Sequence, residues 1–329
     1  MPEMTCVEIC AGAGGQAIGL ESAGFEHVAA IEIDPDACET LRLNRKHWNV
    51  VEKDVHHYDG KPLRGQVTLL AGGVPCPPFS IAGKQLGADD ERDLFPEALR
   101  LVEEIEPEAV MLENVRGLST GRFASYRQQI IDRLDILGYK TEWQVLNASE
   151  HGVPQLRPRF ILVALKPEAH VHFEWPKPIG TPRTVGSVLH DAMAVDGWTG
   201  ADAWAKQANG IAPTLVGGSR KHGGPDLGPS RAREAWLRLG VNGKVLADAP
   251  PSASDPADML PKLTVRMAAA IQGFPPEWKF YGRKTASYRQ VGNAFPPPVA
   301  EAVATQIKAA LDAAREAKTD QPAQLRLVG

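Results

Sequence analysis

The stretch VTLLAGGVPCPPFS, Val67 to Ser80, decides how this chain is read. Val67 to Ala71 is apolar and reads as a buried strand, which Gly72 and Gly73 then break. Cys76 follows, fenced by Pro75, Pro77 and Pro78, so a thiol sits on a stiff loop at the end of a strand. In an open parallel sheet, ligands and chemistry collect at that edge. A structural cysteine in a proline-rich turn is the competing reading. The partners that the rest of the chain supplies separate the two.

Upstream, Thr5 to Ile9 reads as a short strand, and AGAGGQAIGL after it opens a helix. Gly12, Gly14 and Gly15 let the backbone approach a ligand closely at that helix N-terminus, as in a nucleotide-like cofactor site; a tight turn is the alternative. A second strand, Val28 to Ile33, carries Glu32, which suits hydrogen bonds to two ribose hydroxyls. A third, around Val50 and Val51, ends at Asp54, placed to accept from an adenine amino group.

Downstream, KQLGADDERDLFPEALRLVEEI begins as a polar, mobile loop and continues as a helix from Leu94 to Ile105. Ala109 to Leu112 is the next buried strand. In a doubly wound α/β topology it delivers Glu113 and Asn114 to the same sheet edge as Cys76, although a strand-end carboxylate is often merely solvated. A helix from Phe123 to Leu137 leads to a strand from Tyr139 to Leu146. Gln155, Arg157 and Arg159 alternate into a further strand, Phe160 to Leu165. Residues two apart share a face, so both guanidinium groups are expected to aim into one site. An exposed basic edge, tolerating Pro158, is the other possibility.

From about Val171 prolines and glycines become frequent and strands short, with no clear period until a helix near Arg231 to Leu239. This is expected to be a second, smaller, irregular domain of the kind that carries recognition. LTVRMAAAIQGFPPEW, Leu263 to Trp278, reads as a capped helix ended by Gly273 and Pro275. YRQVGNAFPPPVAEAVATQIKAAL then combines a Gly-Asn turn with an amphipathic helix whose stripe is Val299, Val303, Ile307 and Leu311. Pro296 to Pro298 are expected to turn that helix back onto the first domain, and the tail from Thr319 to be disordered.

At 329 residues the chain allows roughly two domains and a sizeable core. No apolar run approaches the ~18 residues of a membrane span. MPEMTCVEIC lacks the pattern of a secretory signal, so a cytoplasmic location is expected. The four cysteines, Cys6, Cys10, Cys38 and Cys76, match neither zinc spacings nor a disulfide framework, so no metal is expected. One reactive thiol with inert neighbours in a reduced compartment fits. A net charge of -4 does not advertise a nucleic-acid binder. Between Val216 and Gly243, however, Arg220, Lys221, Arg231, Arg233 and Arg238 face only Asp226 and Glu234. A local positive surface of this kind can serve phosphates.

The Gly-rich loop, Pro75-Cys76, Glu113-Asn114-Val115, Gln155-Leu156-Arg157-Pro158-Arg159, the LTVRMAAAIQGFP helix and Gln290-Val291-Gly292-Asn293 follow one another in a single order. In this the chain resembles the DNA (cytosine-5)-methyltransferases, in their bacterial single-chain form, from Val7 to about Leu311. The resemblance implies a doubly wound, Rossmann-like methyltransferase domain built from residues 1–170 and 279–318 and closed by the C-terminal helix. A target-recognition domain would occupy 171–278. It places S-adenosylmethionine, converted to S-adenosylhomocysteine, against Ala11, Gly12, Gly14, Gly15, Glu32, Ile33, Asp54, Val55, Gly73 and Asn293. Where the family usually has an aromatic residue stacked on the adenine, this chain has Cys10, and Ile33 or Val55 would clamp the ring instead.

Cytosine carbon-5 is a poor nucleophile. A thiolate added to carbon-6 breaks the aromatic system and builds electron density at carbon-5. The resemblance gives Cys76 that role, with Arg157 as the positive neighbour that favours a thiolate. Glu113 would bond the N3 and amino edge of the base, and Arg159 its carbonyl oxygen. The base that removes the carbon-5 proton is unassigned, water being one candidate. The target cytosine must leave the stack, under a lid from Ser80 to Arg92 with Ser80 on phosphate. Arg220, Lys221, Arg231 and Arg233 are expected to contact double-stranded DNA, at a short GC-rich site. The protein is expected to be a monomer, with a cognate restriction endonuclease acting on the same site but forming no complex with it. The nearest rival reading is a tRNA cytosine-5 methyltransferase, and the Cys-Phe-Thr signature typical of those is absent from the chain. A non-catalytic DNA-binding homologue should lack Cys76 or Glu113. A nicotinamide dehydrogenase would leave the Pro-Cys loop and paired arginines unexplained.

Overall fold

Short apolar segments, buried on both faces, form the centre of the molecule. They are β1 (Thr5–Ile9), β2 (Glu26–Glu32), β3 (Val50–Glu52), β4 (Leu69–Gly73), β5 (Ala109–Val115), β6 (Lys140–Asn147) and β7 (Pro158–Leu165). A computed structural model describes residues 4–75, 93–218 and 224–319. Cys76, Ser80, the expected lid from Ser80 to Arg92, Arg220, Lys221 and the tail beyond Thr319 lie outside the described residues. The strands make one sheet in the order β3-β2-β1-β4-β5-β7-β6. The first five strands in sequence pair parallel to one another, whereas β7 runs antiparallel between β5 and β6. The expected α/β class and doubly wound sheet are therefore found, with one strand reversed.

That reversal decides where the chemistry can sit. Parallel strands bring their carboxyl ends to one edge, and an antiparallel neighbour brings its amino end there. The register pairs Gly73 with Glu113 across β4 and β5, and Val115 with Arg159 across β5 and β7. Glu113 and Arg159 are thus diagonal neighbours on one sheet face, within reach of long side chains.

Helices cover both faces. α1 (Gly15–Ser22), α2 (Pro35–Asn44), α3 (Phe95–Ile105) and α4 (Ala124–Ile136) connect successive strands. Phe95, Leu101, Ile105, Ile130 and Leu134 bury against Val7, Ile9, Val110 and Leu112 on one side. After the short α5 (Pro167–His170) come α6 (Val185–Ala194), α7 (Ala201–Gln207), α8 (Ser230–Arg238), α9 (Val265–Gln272), α10 (Lys284–Asn293) and α11 (Pro297–Thr319). The expected stripe of α11 packs on the other sheet side: Val299, Val303, Ile307 and Leu311 join Leu20, Leu69 and Met111 in one apolar cluster.

Two local readings need correction. Between 171 and 264 the described residues hold no strand beyond isolated bridges. They hold helices, and α6 has a capping box in which Thr184 and Ser187 each bond the other's backbone N–H. That Thr-x-x-Ser start was legible but weak among the surrounding glycines. The Gly292-Asn293 pair, expected as a turn, forms the last residues of α10; its glycine permits close packing instead. No helix among the described residues is long and apolar enough to cross a membrane.

α1 and α11 touch backbone to backbone. A Cβ on Gly19 would lie 2.5 Å from Ala300 Cβ and 2.6 Å from both Glu301 N and Pro297 O. Backbone atoms cannot step aside as a flexible side chain can, so Gly19→Val is expected to destabilise the fold by about 3 kcal/mol or more. Gly121 has ordinary backbone and open space, and Gly121→Ala should be nearly neutral. Urea midpoints of the two variants test this; similar values would refute the close-packing account.

Candidate active site

The carboxyl edge of the sheet opens into a cleft of about 830 Å³. The strand ends of β1, β2, β4, β5 and β7 contribute to it, together with Thr214 to Val216 and the end of α10. At one end Glu113 and Arg159 form a close pair, Oε1 to Nε 2.7 Å, with side chains 12% and 11% exposed. Burial pushes the Glu113 carboxyl up, opposed by the charges of Arg159 and then Arg157. Gly73 leaves room beside it: a Cβ there would stand 3.3 Å from Glu113 Oε2.

Asn114, next in the triplet, has a structural task that the sequence did not disclose. Its buried amide donates to Val74 O at 2.7 Å, and its Oδ1 accepts from Val115 N at 2.7 Å. Leu94 N in turn donates to Pro75 O at 3.3 Å. Both ends of the segment carrying Cys76 are therefore tied to β5 and to the start of α3. The signal available beforehand was an amide side chain at a buried strand end, where unpaired polar groups are costly.

Gln155, Arg157 and Arg159 go to different tasks, which corrects the expectation that both guanidinium groups aim into one site. Arg157 is 1% exposed; its Nη1 donates to Leu215 O at 2.7 Å and its Nη2 to Gly292 O at 2.9 Å. Gln155 bonds Gln272 and accepts from Leu215 N at 2.7 Å. These side chains hold backbone from distant segments, whereas Arg159 alone meets Glu113. Arg157 still borders the cleft.

At the other end, Glu32 accepts from Gly12 N at 2.7 Å on one oxygen, and from Ile33 N and Asp34 N at 2.8 and 2.7 Å on the other. Burial raises its pKa against these donors. Ile33 is 63% exposed at the cleft and Val55 lies buried in its wall. Asp54 accepts from His56 N and meets His56 Nδ1 at 2.8 Å, which lowers its pKa. Ala11, Gly12 and Gly15 border the cleft, and Gly12, at φ +54°, has open space beside its Cα.

Gly14 is the exception. It does not border the cleft; a Cβ there would meet Trp278 and Leu41, so its left-handed backbone serves the turn and the packing of Trp278. Gly15 likewise turns its Cα toward the Phe295 carbonyl. Asn293 borders the cleft and donates to Gly218 O at 3.1 Å. Cys10 has a positive φ of 52°, and burial holds its thiol pKa up. Arg231 is exposed on α8, and Arg233 donates to Ser230 Oγ at 3.4 Å. No group of three or more metal-ligating side chains occurs among the described residues.

Comparison with known proteins agrees with this geometry. The family model of the C-5 cytosine-specific DNA methylases matches residues 4–309. Over 317 residues the chain is 59% identical to the Type II methyltransferase M.NaeI of Lentzea aerocolonigenes, an alignment covering 95% of this chain and 76% of the relative. It is 53% identical over 317 residues to the Type II methyltransferase M.NgoMIV of Neisseria gonorrhoeae, covering 94% and 98%. Among solved structures, that of Spodoptera frugiperda DNMT2 matches with a TM-score of 0.65 at 16% identity, covering 94% of this chain and 99% of that one, a likeness of fold. With the matched residues running from β1 into α11 and through every strand of the cleft, this chain belongs to the C-5 cytosine-specific DNA methylase family and is an enzyme of cytosine-5 methylation in DNA.

Proposed function

We propose that this methylase acts on a cytosine rotated out of duplex DNA, through a covalent bond from Cys76 to carbon-6 of the base. One observation carries the reading: the buried Glu113–Arg159 pair lies in the same cleft as Pro75, the residue immediately before Cys76. A carboxyl whose pKa is raised by burial can hold a proton for the pyrimidine N3 and accept from the exocyclic amino group. Arg159 offers donors to the carbonyl oxygen. Charge that thiolate addition pushes onto the ring would thus meet fixed partners in a site with little water. Release of Cys76 requires loss of the carbon-5 proton.

The family implies S-adenosylmethionine, and the cleft has features that fit it: backbone donors around Glu32, the open face of Gly12, and an exposed Ile33 opposite a buried Val55. When bound, the cofactor supplies an electrophilic methyl group on a sulfonium. Ala11, Gly12, Gly15, Glu32, Ile33, Asp54, Val55, Gly73 and Asn293 would hold it, with Ile33 or Val55 clamping the adenine in place of an aromatic at Cys10. Residues 1–170 and 279–318 would form the catalytic part and 171–278 the recognition part. We further propose that the enzyme is a cytoplasmic monomer, paired with a restriction endonuclease of the same site specificity.

Cys76→Ala is expected to abolish methyl transfer, and the intact enzyme to form an adduct with 5-fluorocytosine DNA that survives denaturing electrophoresis. An active Cys76→Ala variant would rule out the covalent route. Transfer of tritiated methyl to DNA and to RNA in parallel assays tests the tRNA alternative.

Glu113→Gln is expected to lower the single-turnover rate by about 10²–10⁴-fold and to leave cofactor affinity within about twofold. An unchanged rate with weakened cofactor binding would assign Glu113 to the cofactor.

Recognition is assigned to Ala212 to Leu239. On α8, Trp236 is buried while Arg231 is exposed. An arginine bidentate to guanine gives about 1–3 kcal/mol of discrimination, and this basic stretch favours a short GC-rich site. Arg231→Ala should relax methylation at one base position. Uniform weakening across sequences with a flatter salt dependence would make Arg231 a phosphate contact. Unaltered preference and affinity on alanine replacement throughout the stretch would move recognition elsewhere in 171–278.

A further inference from the structure

Gln16, near the start of α1, is only 3% exposed, and neither atom of its side-chain amide has a hydrogen-bond partner. Glu8 on β1 is 1% exposed. One of its oxygens lies 3.2 Å from His27 Nε2, while Oε1 has no partner. Both residues border the cleft. A buried donor or acceptor left unpaired costs about 1–3 kcal/mol, and the few that persist in folded proteins call for a partner. Here an amide and a carboxylate oxygen go unpaired along the same cleft.

Their place in the sheet indicates which partner. β1 lies between β2 and β4. The residues assigned above to the nucleoside, Glu32, Ile33, Asp54 and Val55, follow β2 and β3. Those assigned to the pyrimidine, Glu113 and Arg159, belong to β5 and β7. A methyl sulfonium of this type has three branches: a nucleoside, the methyl group that must reach the pyrimidine, and an α-amino acid. With the first two directed to either side, β1 and the helix that follows it remain for the third.

We propose that Gln16 determines specificity for the cofactor's α-amino-acid branch: its amide N–H donates to the carboxylate, and Glu8 Oε1 accepts from the ammonium. This rests on the cofactor reading given above. The side-chain amide is the point, since an apolar side chain would fill the same space without an unpaired group.

Two probes separate the branch from the nucleoside: S-adenosylhomocysteine, which carries the amino acid, and 5′-methylthioadenosine, which lacks it. In titration calorimetry Gln16→Met should weaken S-adenosylhomocysteine by about tenfold, the loss of one hydrogen bond to a charged group, and leave 5′-methylthioadenosine within about twofold. The ligand-free Tm should stay level or rise, because the substitution removes an unpaired buried amide. Unchanged binding of S-adenosylhomocysteine, equal weakening of both probes, or a lowered ligand-free Tm would overturn the proposal. Wild-type protein that binds neither probe would instead refute the cofactor reading, and the role of Gln16 with it.

Discussion

The buried guanidinium of Arg157 is the interaction on which the rest of the molecule depends. It stands between Leu215, in the segment after α7, and Gly292, at the end of α10, and donates to a carbonyl of each. A positive charge taken out of water is costly unless it is hydrogen-bonded. These carbonyls are therefore held as firmly to the arginine as the arginine is to them. Segments 58 and 135 residues away in sequence are fixed to the rim of the sheet through one side chain. Gln155 adds a second tie, binding Leu215 N and the side chain of Gln272.

The consequence is a cleft whose walls come from distant parts of the chain but meet without slack. Gly217 and Gly292 approach backbone to backbone, closer than any side chain would allow. Trp278 donates to Ala13 O at 3.1 Å and fills the space beside Gly14, so the residues after α9 brace the glycine loop after β1. Apolar side chains of α6, α7 and α8 share one cluster with Ala11, Ile18 and Leu41. The region expected to read DNA is thus packed directly against the wall of the cofactor end of the cleft.

Within that frame the electrostatics divide along the sheet edge. Glu32 is surrounded by backbone N–H groups and Glu113 by a guanidinium, although both are strand-end carboxylates raised by burial. Backbone donors orient a carboxylate for hydroxyl groups. A mobile cationic partner beside a carboxyl suits charge that develops during reaction. One residue type therefore does two jobs, and the neighbours decide which.

Much of this was legible in the sequence because it follows from local rules. Apolar runs broken by glycine marked β1, β2, β4 and β5, and the four-residue stripe marked α11, since strand and helix periods are properties of short segments. Glu32, Asp54, Glu113 and the Pro75-Cys76 step could be named because residues that end parallel strands collect at one edge. The tasks of Arg157, Gly14 and Asn114 could not. Arg157 and Arg159 are equivalent in sequence, two apart on one strand, and differ only because Leu215 O and Gly292 O lie next to one of them and Glu113 next to the other. Gly14 reads like Gly12 until Trp278 is seen to fill the space beside it. Hydrogen-bond partners and close contacts are supplied by chain far away in sequence, so the strands and their edge residues were determined locally, whereas the division of labour among those residues was decided only when the chain closed on itself.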